Sequence, residues 1–335
     1  FDLQVFNGLN VTFDWYKKVT SDILRKSQVS NILGLEAPTV NSGEVENKGF
    51  EIAFNYNNMI TDGVFKGLQY NAGVYFDRSR NKLTKFGAEE IDGYKLRREG
   101  LPYNEGGEGV THFVVTYNEY YMLECIGIFA TEDEVKNSPK QFNDNTLPGD
   151  LKYKDQDNNG VIDNNDRVPI SGRFPGFEYS VNLGANWKGF DLSLQGQGVS
   201  GKKWYTNEWG IYPFRQGSAP TREYIEGMWT EENPYNAEHP RLYFDNLGGN
   251  KNTRPNTYML QNASYFRLKN LTFGYTLPKS VTDKVKMSRV RVYFSGDNLL
   301  TFTKFYGLDP EREGDGRAAV YPQNRICSFG LNVEF

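Results

Sequence analysis

The chain has 335 residues, 38% of them hydrophobic and 15% aromatic, and a formal net charge of −4. That balance leaves no basic footprint for nucleic acid, and no run approaches the roughly 18 apolar residues of a membrane helix. Two histidines (His112 and His239) and two distant cysteines (Cys125 and Cys327) leave little for a histidine- or thiolate-based centre, whereas a mean hydropathy of −0.65 still permits membrane strands, in which only alternate residues meet lipid.

Nine stretches alternate apolar with polar residues, the period of a strand whose two faces meet different surroundings. The first, Phe1–Phe6, closes on Asn7-Gly8, a pair suited to a type I′ hairpin turn. The second runs from about Leu9 to Val19, with Val11, Phe13 and Trp15 opposite Asn10, Thr12 and Asp14. A polar connection, Thr20–Asn47, leads to the third, whose apolar face is Phe50, Ile52, Phe54 and Tyr56. Thr61-Asp62-Gly63 turns the chain into the fourth, where Leu68, Tyr70, Ala72, Val74 and Phe76 oppose Gln69, Asn71, Gly73 and Asp77. Residues 81–172 form a long region rich in glycine, asparagine and acidic side chains. The fifth stretch sets Phe177, Tyr179, Val181, Leu183, Ala185 and Trp187 on one face, and Lys188-Gly189 turns it directly into Phe190, Leu192 and Leu194 of the sixth. A second long connection, 200–258, precedes the seventh, with Leu271, Phe273, Tyr275 and Leu277. Pro278–Ser288 links it to the eighth, around Val290, Val292 and Phe294. After Thr303–Gln323 the ninth puts Cys327, Phe329, Leu331, Val333 and Phe335 against Ser328, Gly330, Asn332 and Glu334.

Short turns and long loops alternate along this series. Outer-membrane barrels segregate them in that way, short turns on the periplasmic side and long loops outside. A secreted sandwich also alternates in period two but has no reason to sort its loops. The expected fold is therefore all-β: a transmembrane antiparallel β-barrel, lipid on one face and water on the other. An outer-membrane protein needs a signal segment and Phe1 is preceded by none, so the chain reads as the C-terminal part of a longer barrel protein, residues 1–335 supplying about nine strands. An open first edge in lipid is not tolerated, so further strands are expected to close it.

One motif carries chemistry. In Asp155-Gln156-Asp157-Asn158-Asn159-Gly160-Val161-Ile162-Asp163-Asn164-Asn165-Asp166, a calcium loop would use Asp155, Asp157 and Asn159 at positions one, three and five. Gly160 makes the bend at six, the Val161 carbonyl serves at seven, and Asp163 and Asp166 stand at nine and twelve. Ca²⁺ takes roughly six to eight oxygens, which alternate side chains on a tight loop supply. The departure is Asp166, one methylene shorter than the usual glutamate. An asparagine-rich turn needing no metal has the same composition.

Tyr265–Pro278 (YFRLKNLTFGYTLP), Arg291–Thr301 (RVYFSGDNLLT), Tyr306–Glu311 (YGLDPE), Asn41–Glu51 and Gly149–Pro169 together resemble, in order, the SusC/RagA-type TonB-linked outer-membrane proteins. The resemblance covers most of the chain and is weakest over 100–123 and 202–256. It implies a 22-stranded barrel of which this chain holds the last nine strands, its loops extracellular and its C-terminus periplasmic. An N-terminal plug and a TonB-contacting segment would lie outside these residues. It also implies a SusD-like surface lipoprotein as partner, and import of an oligosaccharide or peptide energised through TonB.

Loop aromatics Trp204, Tyr205, Trp209, Tyr212 and Phe214 are candidates to stack on such a ligand, although interfacial rings also flank the lipid band of any barrel. Two other functions stay open from the residues alone: a passive structural barrel, and a secreted calcium-stabilised carbohydrate-binding β-protein. No enzyme is expected. The carboxylate pairs Glu89-Glu90, Glu231-Glu232 and Glu311/Glu313 sit in polar loops where solvated charge is the ordinary reading.

Overall fold

The computed structural model describes residues 1–6, 8–26, 34, 36, 38–86, 90–92, 95–99, 119–142, 145–206, 213–214, 219–243, 251–311 and 321–335. The alternating stretches become nine antiparallel strands of one sheet: β1 (Asp2–Phe6), β2 (Leu9–Lys26), β3 (Thr39–Met59), β4 (Gln69–Lys85), β5 (Phe177–Trp187), β6 (Phe190–Ser200), β7 (Tyr265–Thr276), β8 (Arg289–Thr303) and β9 (Ile326–Glu334). Spatial order follows chain order, so the sheet is a meander. Short connections lie on one rim. On the other stand the links between β2 and β3, β4 and β5, β6 and β7, and β8 and β9. No helix among the described residues is long and apolar enough to cross a membrane.

The hairpin predicted at Lys188-Gly189 forms as expected. Both residues have positive φ, +48° and +87°, the conformation of a type I′ turn that matches strand twist, and Phe177–Trp187 pairs with Phe190–Ser200 end to end. At the first turn Gly8 has φ +92°; Asn7 lies outside the described residues.

Three strands run further than the alternation predicts. The connection expected at Thr20–Asn47 is largely sheet, because β2 continues to Lys26 and β3 starts at Thr39. Likewise β4 reaches Lys85, so the long loop begins beyond it and not at 81. The reason is chemical. In these upper segments polar side chains interrupt the alternation, and pairing rests on the backbone ladder, on a small buried cluster of Val45, Leu83 and Phe86 beside Ile23, and on cross-strand contacts such as Lys17–Glu46 (2.8 Å), Lys85–Glu44 (2.8 Å) and Asn81 Nδ2 donating to Asn47 Oδ1 (2.7 Å).

β7 starts at Tyr265, the first residue of the segment Tyr265–Pro278. Its register against β6 jumps from Asn270–Gln195 to Leu268–Gly196, making Lys269 an extra residue. Such a bulge shifts the side-chain alternation by one. Below it Leu271 and Phe273 carry the apolar face. Above it Phe266 does, stacked between Tyr179 (6.0 Å) and Phe302 (6.4 Å), while Arg267 turns to the polar face.

The apolar face has no second layer over it among the described residues. Trp15, Phe54, Leu183, Phe273 and Phe329 stay exposed, Phe329 at 85%. A sandwich would bury these rings against another sheet; this sheet does not. Apart from a small cluster of Val45, Leu83 and Phe86 at the upper ends of β3 and β4, the cores lie instead within the long loops. Glu119–Leu123 pairs with Arg167–Ile170, and Cys125–Ile128 with Leu151–Tyr153. One buried cluster joins Leu123, Leu151, Tyr153 and Ile162; another brings Tyr120 and Met122 of the first long loop against Tyr205 and Met259 of the second. The two loops thus fold as one crown on a single rim.

Candidate functional site

The polar face and the crown are the parts with chemistry to offer. Along the polar face, Asn270 donates to Asp297 Oδ1 (2.7 Å) and the Tyr75 hydroxyl to Asn55 Oδ1 (2.6 Å). Arg291 on β8 reaches across β7 to Asp191 on β6 through a two-pronged contact of 2.9 and 2.5 Å. Gly274 makes that span possible: a Cβ there would stand 2.5 Å from Asp191 Oδ1 and 2.6 Å from Arg291 Nη2. The register also sets Asp14 beside Glu51, Glu51 beside Asp77, and Asp77 beside Glu178. Directly opposed like charges cost pairing energy, so this row is tolerable only on a wet face. The result is a polar, water-compatible surface.

Where this face meets the crown, a strap closes the β8–β9 loop onto β7. Arg267 holds Asp309 through Nη2 (2.9 Å) and Glu311 through Nη1 (2.7 Å), and its Nε donates to Thr301 Oγ1 (2.9 Å). Lys269, the bulge residue, adds a second cation to Glu311 at 2.5 Å. The Arg267 and Asp309 side chains are 4% and 3% exposed. Burial alone would push the Asp309 carboxyl up; the Gln323 N–H, the Arg267 guanidinium and the Glu311 N–H together hold it below the usual carboxylate range. Sequence reasoning named both segments, Tyr265–Pro278 and Tyr306–Glu311, but missed their union. The signal was there: Arg267 and Lys269 as the two charges of an otherwise uncharged strand, and a DPE triplet in a loop. Glu313 and Glu89 of the carboxylate pairs lie outside the described residues.

In the crown, the calcium-type loop takes the curl its spacing predicts. Asp155 Oδ2 accepts the Gly160 N–H (2.8 Å), Asp157 Oδ1 the Asn159 N–H (3.1 Å) and Asn159 Oδ1 the Val161 N–H (2.8 Å). Gly160 has φ +83° and Asn158 +58°. The Gly160 N–H is the main reason the Asp155 carboxyl sits below its ordinary range. Carboxylate oxygens of Asp155, Asp157 and Asp166 come within 4.8 Å of one another. Asp163 is not in that group; its Oδ1 accepts the Asn165 N–H (2.6 Å), capping the turn Asn164–Asp166. Asp166 is fully buried, with its two oxygens taking the N–H groups of Gln156 and Asp163 at 2.7 Å each. Ile162 anchors the loop in the crown's core, as expected of position eight. An all-oxygen, three-carboxylate set on a tight turn fits a hard cation.

The loop aromatics fare differently. Trp204 and Tyr205 are buried in the crown, 7% exposed each. Trp204 donates its indole N–H to the Pro310 carbonyl (3.0 Å), and Tyr205 packs against Tyr120. The structure therefore gives these two rings the work of holding loops together. Phe214 is half-buried, at φ +61°. Trp209 and Tyr212 lie outside the described residues, as do His112 and most of 100–123.

No family model matches the chain. Among curated proteins, TonB-dependent receptor P3 of Formosa agariphila is 29% identical over all of this chain and 33% of its own length. TonB-dependent receptor P26 of the same organism is 27% identical, and TonB-dependent receptor SusC of Bacteroides thetaiotaomicron 23%, again over the whole chain. The chain spans about a third of the length of the curated relatives it matches. Among solved structures, the RagAB peptide transporter superposes with a TM-score of 0.72 at 24% identity, over 98% of this chain and 33% of that one. The likeness to SusC/RagA-type receptors read from the sequence holds along the whole chain, and the nine-stranded sheet is barrel wall.

Proposed function

Taking that kinship with TonB-dependent receptors as premise, we propose that this chain forms wall and outer rim of an outer-membrane importer for a bulky nutrient, an oligosaccharide or a peptide. One observation carries the reading: a sheet with bare apolar rings on one face, hydrogen-bonded polar groups on the other, and a folded crown on one rim only. Such a wall encloses a wet passage and meets lipid outside. The crown would face the cell exterior, where a SusD-like lipoprotein could seat on it, and TonB would supply energy through segments these residues do not include. RagAB, one of the solved structures this chain resembles in fold, is a peptide importer, which favours peptide among the cargoes. The test is uptake of labelled oligosaccharides and oligopeptides by the native host with and without this gene. Loss of one uptake, matched by loss of TonB, supports the proposal; undiminished uptake of every tested cargo overturns it.

We propose further that Ca²⁺ orders the crown through Asp155, Asp157, Asn159, the Val161 carbonyl and Asp166, with Asp163 acting from behind. Titration calorimetry of the whole receptor should show calcium uptake that Asp155→Ala removes. Equal uptake by both proteins would end this idea.

A further inference from the structure

Among the crown's loops lies a cavity of about 380 Å³ that neither the passage nor the calcium-type loop accounts for. Its size falls in the usual range for small-ligand sites, roughly 300–1,000 Å³. Three separate stretches build it: the second long loop around 206 and 221–239, the approach to β7 at 258–261, and Tyr306 of the β8–β9 loop. The buried side is aromatic. The Tyr224 ring stacks on His239 at 4.6 Å and an interplanar angle of 8°, and Tyr258 meets the same imidazole edge-on, its hydroxyl 2.7 Å from Nδ1. Burial drives the His239 imidazolium below its ordinary range, against the opposing pull of Glu238 and Glu223, so near neutral pH the ring adds no positive charge. The open side carries Glu223 and Glu238, both exposed, with the Tyr306 hydroxyl bound to Glu223. Among the described residues, no lysine or arginine lines the cavity.

Two carboxylates in a pocket also lined by Tyr224, Tyr258 and Tyr306, with no cation of the protein's own among these lining residues, suit a positively charged organic group. The carboxylates accept its N–H bonds and the ring faces attract its charge. We infer that this cavity binds an alkylammonium group, whose source is either a lysine-bearing peptide or a free polyamine. The inference deepens the import reading and rests on it only for calling the ligand cargo. Binding is therefore measured apart from uptake.

The experiment uses the full-length receptor in detergent, with trilysine, spermidine, Nζ-acetylated trilysine and maltotriose as probes. Trilysine or spermidine should bind, and whichever binds identifies the source. Affinity should fall at least tenfold in the double variant Glu223→Gln/Glu238→Gln, and it should weaken as salt is raised. Both positions are exposed, so the isosteric changes leave the crown folded; a thermal melt of the variant checks this. The acetylated peptide should bind no better to the unmodified receptor than to the variant. Failure of both cations to bind, equal affinity in the variant, or tighter binding of maltotriose or acetylated trilysine each overturns the assignment. Uptake undiminished in cells lacking the gene, with binding intact, would count against the import reading and leave the site standing.

Discussion

Within the wall, pairing follows strand order: Trp187 pairs with Phe190 across a two-residue turn, Asp77 with Glu178 across a whole long loop, and each strand bonds only to those before and after it. In the crown, partners come from far away. Asp150 takes the Tyr243 hydroxyl at 2.6 Å from 93 residues on, and the Leu151 N–H donates to Asn252 Oδ1 from 101 residues on. The wall is thus a regular backbone ladder dressed by solvent preference, one face for lipid and one for water. The crown depends on long-range polar contacts made in a small, dry interior, where each unmet group is costly. A substitution in the wall should be judged by the face it alters, and one in the crown by the partner it strands.

The largest effect is expected where the two regions join. Arg267→Ala leaves Asp309 buried without its cation, which costs about 3–5 kcal/mol in comparable buried pairs. The β8–β9 loop should then come off the barrel mouth, read as protease cleavage between Lys304 and Arg325. Acid should loosen the same strap. Because the folded Asp309 carboxyl is held below its ordinary value, its contribution is complete above about pH 4 and fades as pH falls through the lowered folded value. Protection that stays constant down to strongly acid pH, or survives Arg267→Ala, would show that the strap does not hold the loop.

The second effect separates faces within the wall. Leu183→Arg puts a charge on the apolar face and should cost about 2–4 kcal/mol if that position lies near the bilayer midplane. Asn182→Arg, one residue away on the wet face, should cost little. Unfolding from lipid vesicles with urea measures both. Equal penalties would deny the two faces their different surroundings.

These contrasts explain what the sequence could reveal. Period-two alternation reports two unlike solvents, so it found all nine strands wherever lipid lay on one side, as in Phe177–Trp187. It failed above that level, at Thr20–Lys26 and Thr39–Asn47, where polar residues outnumber the few apolar ones, such as Ile23 and Val45, and the pattern alone does not distinguish strand from loop. It also missed the shift at Lys269, because a bulge inserts one residue without a signature of its own. The calcium-type loop was readable because its geometry is local, each Asx side chain binding an N–H two to five residues on. Trp204 and Tyr205 misled for the opposite reason. Their surroundings, Pro310 and Tyr120, come from other loops, and only folding reveals that the rings are interior.

The smallest expected effect compares two glycines of nearly equal backbone geometry. Gly189 in the wall has φ +87° and Gly160 in the crown φ +83°, so alanine at either carries the strain of the left-handed region, about 1 kcal/mol or somewhat more. Their surroundings differ. A Cβ on Gly189 would stand 2.6 Å from the Thr276 carbonyl oxygen of β7, whereas at Gly160 nothing lies within 4 Å. Gly189→Ala must therefore push β7 away from the hairpin in addition to bearing the strain, while Gly160→Ala bears the strain alone. Thermal melts should rank Gly189→Ala below Gly160→Ala, and hydrogen exchange should show the former loosening the Gly189–Thr276 contact (2.7 Å). If the two variants melt together, the β5–β6 turn is free to move away from β7, and the tight packing ascribed to the wall's short-turn rim would have to be given up.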